Sequence, residues 1–386
     1  MAVGKNTFPM MHPVAGFKLG TASAGIKKPG RLDLVVMEVV ASGTVAGVFT
    51  KNAFCAAPVQ LTKAHMSSAE SRYLVTNTGN ANAGTGEPGR KNAYQVCESL
   101  AAIAGVEVAA VLPFSTGVIG EPLPVEKILA ALPDAHGALS EDGWSQAALG
   151  IMTTDTRPKG ASVKLPLGGK IITLSGIAKG AGMIKPNMAT MLAYVATDLQ
   201  VEQPQLQSMV GQAVDCSFNR ITVDGDTSTN DSAMLIATGE SGVSWQSLSA
   251  EEQQHFETAL HNLFISLAQQ IVQDGEGATK FVTVTVGGGA SSEECLAVAY
   301  TVAESPLVKT ALFASDPNWG RILAAIGRAG LKDLDVDAIE VYLDDVLIAE
   351  NGGRAASYSE QQGLAVMSKE EITIAIQLHR GEAEET

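Results

Sequence analysis

The chain has 386 residues, 46% hydrophobic and 17% charged, which is typical of a globular protein with a sizeable core. At roughly 150 residues per domain this length suggests two or three domains, and the formal net charge of −15 argues against a broad nucleic-acid or anionic-membrane surface. No stretch approaches about 18 consecutive apolar residues and the first twenty lack a secretory apolar core, so no membrane span is expected and the cytosol is the expected compartment.

In chain order, apolar patterning predicts a mixture of strands and helices. Segments 32–40 and 47–50 predict strands, 91–104 a helix ending at Gly105, and 205–217 a helix led by Pro204. Ser249 and Glu252 fit a capping box, which predicts a helix from Ser249 to Asp274. Strands are then predicted at the alternating segments 281–286, 339–343 and 372–378. The mixture favours a layered α/β or α+β fold over a regular βαβ repeat.

The residue patterns of several common metal, disulfide and catalytic sites do not occur in this sequence. Cys55, Cys97, Cys216 and Cys295 are far apart without a CxxC motif, which predicts four buried free thiols rather than disulfides or a zinc site. The six histidines lack metal-ligand spacing, so no metal is expected, and neither a GxSxG elbow nor a P-loop occurs. The glycine- and asparagine-rich segment 77–86 is loosely similar to a phosphate-binding loop, although a turn-rich loop is favoured.

Thr190 stands in the segment KPNMATMLAYVATD, at the mouth of an apolar strand. Without a histidine base, a threonine hydroxyl can be activated by its own α-amine when it is the first residue of a chain. Thr190 could reach that state only by cleavage of the bond after Ala189, which would give chains 1–189 and 190–386. From the residues alone, a purely structural threonine remains the alternative.

The segment KGAGMIKPNMATMLAYVATD resembles the self-cleavage segment of the ornithine acetyltransferase family, the bifunctional glutamate N-acetyltransferases of arginine biosynthesis. Further family motifs follow in the same order over nearly the whole chain: FTKN at 49–52, NTGNAN at 77–82, STGVIG at 115–120, TTDT at 153–156, NRITVDGD at 219–226, DGEGATK at 274–280 and SDPNWGR at 315–321. The resemblance implies an αββα sandwich of the DmpA type with a smaller C-terminal α/β domain at approximately 285–386. The α chain 1–189 would hold most of the sandwich, and the β chain 190–386 would complete it.

The implied reaction moves acetyl from N2-acetylornithine to glutamate through an acetyl-enzyme, without a cofactor, and leaves acetyl-CoA open as a co-substrate. The implied partners are these small molecules and a second processed precursor, with neither nucleic acid nor membrane. Two alternatives stay open. An N-terminal-threonine amidase or aminopeptidase of the same fold would pass the acyl group to water, and an uncleaved amino-acid-binding protein would do no chemistry.

The resemblance also assigns residues. Thr190 matches the nucleophile, Thr116 and Gly117 match the oxyanion-hole pair, and the matches to substrate-binding residues are Thr153 (with Thr154 as the alternative), Lys179 and Glu276. The polar tract from Asn219 to Asn230 is favoured as buried scaffolding over substrate contact. Family members continue beyond the residues matching 380–386 into a tail that returns to the substrate, and the given sequence ends before it.

Overall fold

The computed structural model describes residues 2–4, 7–185 and 191–386. They form two compact units: the larger holds 7–221 and 226–271, and the smaller holds 272–386 together with 222–225 and the described residues at the start of the chain. Within these ranges, no helix combines the length and hydropathy that a bilayer crossing requires.

The larger unit is built from two sheets and the helices that cover them. Its strands are β1 (Phe17–Ala22), β2 (Leu34–Val39), β3 (Thr44–Phe49), β4 (Tyr73–Asn80), β5 (Val111–Val118), β6 (Lys159–Leu167), β7 (Lys170–Lys179), β8 (Leu192–Thr197) and β9 (Ser232–Ala237). Its helices are α1 (Ala57–Met66), α2 (Gly86–Ala104), α3 (Val125–Gly137), α4 (Trp144–Gly150), α5 (Gln203–Asp215) and α6 (Ala250–Gln273), the last of which runs to the boundary of the unit.

The strand orders place β8 inside its sheet. The first sheet has the order β1-β2-β4-β5, in which only β4 and β5 are parallel. The second has the order β3-β9-β8-β7-β6, in which only β8 and β9 are parallel. All six residues of β8 are buried. A strand covered on both faces reads as a continuous apolar run, which explains the sequence LAYVAT.

The two sheets pack face to face through large side chains. The rings of Phe114 in β5 and Tyr194 in β8 meet edge to face with centroids 5.4 Å apart. The Tyr194 hydroxyl lies 2.7 Å from Thr76 Oγ1 of β4, so its polar atom is satisfied inside the core. These contacts join β8, the central strand of the second sheet, to β4 and to the edge strand β5 of the first sheet.

Helices cover the outer faces of both sheets. On the first sheet, Leu100 of α2 and Ile128 of α3 belong to the same buried cluster as Val36 of β2. On the second, α6 crosses β7 closely, since the Cβ position of Gly176 lies 3.1 Å from the Leu263 side chain. Helix α5 packs on β3 and β9. The layer order is therefore α, β, β, α, and the predicted mixed α/β sandwich is confirmed.

The smaller unit is one sheet with helices. Its strands are β10 (Phe281–Gly289), β11 (Glu340–Leu343), β12 (Val346–Glu350), β13 (Gly353–Arg354), β14 (Glu371–Gln377) and β15 (Ala383–Glu385), in the order β13-β12-β11-β14-β10-β15. Its helices are α7 (Ser292–Ala303), α8 (Pro306–Phe313), α9 (Trp319–Gly327) and α10 (Glu360–Met367). In β14, Ile372, Ile374 and Ile376 alternate inward to a core that includes Val298 of α7, which confirms the predicted strand with one wet face.

The predicted elements of the larger unit occur with shifted ends. The capping box is present: Ser249 N donates to Glu252 Oε2 at 2.9 Å, and Glu252 N donates to Ser249 Oγ at 3.3 Å. Gly105 ends α2 with a φ of 70°, as predicted. Helix α2 begins at Gly86, earlier than predicted, because Pro88 falls in a first turn whose amides need no helical acceptor.

The thiols differ in burial. All four are free, as predicted, but the prediction that all are buried is wrong for two of them. Cys97 and Cys295 face cores and are buried, whereas Cys55 lies in a loop and Cys216 caps α5, and both are half-buried. Burial raises the pKa of the Cys97 thiol.

We expect two thiols per native chain to react with Ellman's reagent, and four after unfolding in guanidinium, because a thiol must be reached and ionised to react. The absorbance of the released thionitrobenzoate counts the thiols. Rapid reaction of all four in the native protein would contradict the burial of Cys97 and Cys295.

Candidate active site

The implied oxyanion-hole pair lies near the carboxyl end of β5, beside the end of β4. Gly117 has a φ of 136°, and a Cβ at this residue would overlap the backbone of Gly79. Only glycine fits such a position. Thr116 is buried, and the strand register shifts here, so that Asn80 pairs with both Thr116 and Val118. The backbone around Thr116 and Gly117 is thus positioned by the close approach of two strands.

Buried asparagines support this end of β5. Ser115 Oγ donates to Asn77 Oδ1 at 2.6 Å, and Asn77 Nδ2 donates to the carbonyl oxygen of Asn80 at 2.9 Å. Asn82 has a φ of 45°, and its amide donates to Asn80 Oδ1 at 2.8 Å. The prediction of a turn-rich loop at 77–86 is wrong for residues 77–80, which are the end of β4, and holds only for the short loop 81–85 before α2 begins at Gly86. Asn82 in this loop has the left-handed backbone that asparagine tolerates.

Asn230 connects the two sheets at the same end. Its Nδ2 donates to the carbonyl oxygens of Ser115 at 2.9 Å and Ala81 at 2.5 Å. Two residues later β9 begins, and the Ser232 amide donates to the carbonyl oxygen of Met191 at 3.0 Å. The end of β5 and the start of β8 are therefore joined through residues 230–232.

Lys179 is the last residue of β7 and pairs with Leu192, the first residue of β8. Burial lowers the pKa of its ammonium group, an effect opposed by the charges of Asp155 and Asp231 and reinforced by Lys159. An ammonium group that has lost much of its hydration gains more from a carboxylate ligand than an exposed one does. Lys179 is suited to binding an anionic group beside the start of β8.

Asp155 is the acceptor around which this cluster is organised. Its Oδ1 accepts from Lys159 Nζ at 2.6 Å and from the Gly180 amide at 2.7 Å, and its Oδ2 accepts from the Thr153 amide at 2.9 Å. Neither side chain of the Asp155–Lys159 pair is exposed. Burial by itself would raise the pKa of Asp155, but the ammonium groups of Lys159 and Lys179 hold that pKa below its usual range.

Thr153 lies in the bend between α4 and β6, two residues before Asp155. Its carbonyl oxygen accepts from Arg31 Nη2 at 3.1 Å. Thr153 is half-buried, whereas its neighbour Thr154 is exposed. The structure thus brings Thr153 and the segment after Lys179 to the same carboxylate.

The predicted cleavage position, Ala189–Thr190, lies outside the described residues. Residues 227–232 bind the chain on both sides of it. The carbonyl oxygen of Lys185 accepts from Thr227 Oγ1 at 3.1 Å, and that of Met191 accepts from the Ser232 amide at 3.0 Å.

Glu276 belongs to the smaller unit. It is exposed in the loop between α6 and β10, where it lines a cavity of about 350 Å³. The cavity walls are largely apolar, and Lys280 and Lys309 also line it. A carboxylate at such a cavity can bind the ammonium group of a ligand whose aliphatic part contacts the walls.

A family profile and similar proteins of known family show to which family this chain belongs. The ArgJ family profile matches residues 18–386. The chain is 60% identical to the arginine biosynthesis bifunctional protein ArgJ of Pseudomonas fluorescens and 59% identical to that of Pseudomonas syringae pv. tomato, and each alignment covers all of this chain and 95% of the relative. The chain belongs to the ArgJ family. The predicted family, and with it the prediction of a bifunctional acetyltransferase of arginine biosynthesis, is confirmed, and the amidase alternative is not favoured.

Solved structures resemble parts of this ArgJ chain. The arginine biosynthesis bifunctional protein argJ of Bacillus halodurans is 34% identical, with a TM-score of 0.45, and the match covers 48% of this chain and 87% of that one. The ornithine acetyltransferase of Mycobacterium tuberculosis, solved in complex with ornithine, is 32% identical, with a TM-score of 0.40, and the match covers 46% of this chain and 93% of that one.

Two residues of the ArgJ site, Asp155 and Lys159, were not singled out from the sequence, and Asn230 was named only as the end of a polar tract. Asp155 lies in the segment before β6 and Lys159 is the first residue of β6, and opposite charges four residues apart outside a helix do not by themselves indicate a buried pair. Asn230 ends the polar tract from Asn219, for which scaffolding is the favoured prediction, and its two buried hydrogen bonds to carbonyl groups fit that role.

Proposed function

We propose that this ArgJ chain transfers acetyl from N2-acetylornithine to glutamate through an ester on Thr190, which first becomes an N-terminus by cleavage after Ala189. The observation that carries the proposal is the meeting of strand ends: β8 begins beside Lys179, and Asn230 joins that end to the Ser115 carbonyl, immediately before the implied oxyanion-hole pair. The residues adjoining position 190 therefore provide an anion-binding cation and a fixed strand end.

The cleavage step makes the base that the sequence otherwise lacks. The Thr190 hydroxyl attacks the Ala189 carbonyl carbon, the peptide C–N bond breaks, and the nitrogen takes a proton to become the α-amine of Thr190. Water then hydrolyses the ester, which releases the hydroxyl and leaves a carboxylate on Ala189. An α-amine titrates near pH 8, close enough to neutrality to act as a general base.

Acetyl transfer follows as two half-reactions on the same oxygen. The α-amine of Thr190 accepts the hydroxyl proton while the oxygen attacks the acetyl carbonyl of N2-acetylornithine. Amide groups at Thr116 and Gly117 stabilise the oxyanion, the C–N bond breaks, and ornithine leaves with the proton. The free amine of glutamate then attacks the ester, which gives N-acetylglutamate and restores the hydroxyl. Ping-pong kinetics follow from this order.

Different residues recognise the negative and the positive groups of the substrates. Both substrates carry an α-carboxylate, which Lys179 binds, and Thr153 contacts the same part of the substrate. Glu276 binds an ammonium group of ornithine. Hydrogen bonds to charged groups contribute about 1.5–3 kcal/mol each, so these contacts suffice to orient small substrates.

The chemistry is complete with groups of the chain and its substrates, so we propose that neither a metal nor a bound cofactor takes part. Acetyl-CoA would donate acetyl to the same threonine by cleavage of its thioester. The α and β chains stay associated after cleavage, two processed precursors form the assembly, and the enzyme works in the cytosol. The native mass is then twice 40.0 kDa.

The proposal is tested with purified protein, labelled N2-acetylornithine and glutamate, before and after dialysis against EDTA. We expect labelled N-acetylglutamate at equal rates, and two bands on a denaturing gel, one with the N-terminal sequence Thr-Met-Leu. Free acetate as the sole labelled product would favour the amidase. Full transfer activity in an unbroken chain of 40.0 kDa would overturn the cleavage step.

Substrate binding is expected to weaken in alkaline solution. Because burial lowers the pKa of Lys179, its charge is lost at a lower pH than for an exposed lysine. The inhibition constant of N-acetylglutamate, which has no titrating amine, should rise about tenfold per pH unit above that pKa. Lys179→Arg keeps the charge and should remove the alkaline rise. A flat profile in the unmodified enzyme up to the ordinary lysine pKa would contradict the role of Lys179.

A further inference from the structure

A single buried carboxylate holds both substrate-contacting segments of the larger unit. Asp155 Oδ2 accepts the amide of Thr153 at 2.9 Å, and Asp155 Oδ1 accepts the amide of Gly180, the residue after Lys179, at 2.7 Å. The two amides are 27 residues apart in sequence, since one belongs to Thr153 in the bend before β6 and the other to Gly180 at the exit from β7. The spacing between Thr153 and Lys179 is therefore set by the two oxygens of one side chain.

The charge of this carboxylate is maintained inside the protein by Lys159. Its Nζ lies 2.6 Å from Asp155 Oδ1, and both side chains are fully buried. An ionised group without such a partner would be strongly disfavoured in the interior. Because Lys159 makes this ion pair, the ammonium group of Lys179 can serve a ligand instead of Asp155.

We propose that Asp155 is a positioning residue for acetyl transfer: it orients Thr153 and Lys179 together to receive the α-carboxylate of the substrate, and Lys159 is the counter-charge that keeps it ionised. This inference rests on the proposed function, because it takes from it the contacts of Thr153 and Lys179 with substrate. It also makes the effect of Asp155 depend on the substrate, which a purely structural ion pair would not do. Loss of Asp155 should impair substrates that carry an α-carboxylate and spare those that lack it.

The main variant is Asp155→Asn/Lys159→Met, which removes both buried charges together and so leaves no unpaired ion. Two donors are compared: N2-acetylornithine and N-acetylputrescine, which is the same molecule without its carboxylate. In ping-pong kinetics kcat/KM for the donor reports the acylation half-reaction alone. A misplacement of about 1 Å can cost about 100-fold in rate, so we expect kcat/KM for N2-acetylornithine to fall about 100-fold. For N-acetylputrescine we expect a fall of less than about threefold, within ordinary variation between variants.

The matched control is Asp198→Asn. Asp198 is also a buried aspartate, and its Oδ1 accepts the Thr173 amide at 2.8 Å, near the opposite end of β7 from Lys179. This control should lower kcat/KM for the two donors by the same small factor. Thermal unfolding and a denaturing gel establish that each variant is folded and cleaved.

Asp155→Glu provides a second test that keeps the charge, in case the double variant fails to fold. Its extra methylene displaces both oxygens, and a selective loss of about tenfold for N2-acetylornithine is expected. Equal losses for both donors in a folded and cleaved variant would overturn the role of Asp155 and leave the proposed function standing. Failure of the unmodified enzyme to make N-acetylglutamate from N2-acetylornithine would overturn both.

Discussion

Thr190→Ala is expected to leave the precursor as one chain of 40.0 kDa without measurable acetyl transfer. The substitution removes the hydroxyl that would attack the Ala189 carbonyl and later carry the acetyl group. Loss of a nucleophile on which every step depends typically lowers kcat by more than about 10⁴-fold. A denaturing gel and an assay for N-acetylglutamate measure the two effects on the same preparation.

Thr190→Ser is the matched control, because it keeps the hydroxyl and removes only a methyl group. It should still be cleaved after Ala189 and keep acetyl transfer within about tenfold. If Thr190→Ala were cut at the same bond, another group would be the nucleophile of cleavage, and the shared use of one hydroxyl would be wrong.

Gly117→Ala is expected to disable the oxyanion hole. The φ of 136° is unfavourable for alanine, and the new Cβ would overlap the backbone at Gly79. Strain of this kind costs about 1–3 kcal/mol of unfolding free energy. Because the amides must move apart, kcat should fall about 10²–10³-fold, as for loss of one oxyanion donor. Urea unfolding and steady-state kinetics measure the two quantities separately.

Gly120→Ala separates backbone strain from displacement of the strand. Gly120 also has a positive φ, 81°, but nothing lies within 4 Å of its Cβ position. We expect a loss of about 1 kcal/mol in stability with kcat changed by less than about threefold. A Gly117→Ala enzyme with unchanged kcat would show that these amides do not stabilise the transition state.

Local patterns predicted most of the elements that were singled out, because each depends on neighbouring residues. The capping residues Ser249 and Glu252 predicted the start of α6, and the alternation of isoleucines predicted β14. The ends of the elements were less well predicted. The predicted helix 91–104 omitted the first turn of α2, which contains Pro88. Burial of a thiol depends on where the fold places it, and the prediction was wrong for Cys55, which lies in a loop, and for Cys216, which caps α5.

The candidate site was only partly predictable from the sequence, because its contacts join residues that are far apart in the chain. The family resemblance selected Lys179 and Thr153, but nothing in their sequence neighbourhood shows that one carboxylate binds both segments. The bridge from Asn230 to Ser115 joins residues 115 positions apart and exists only because the two sheets stack.

The sequence by itself determined the family and the kinds of element, and it led to the proposal that a threonine hydroxyl and its own amine do the work of a histidine. These follow from motifs and short-range patterns. Only the tertiary structure decided which buried polar groups meet. Strand register and sheet stacking bring Asp155, Lys159 and the end of β7 together, and a buried charge is stable only where such partners converge.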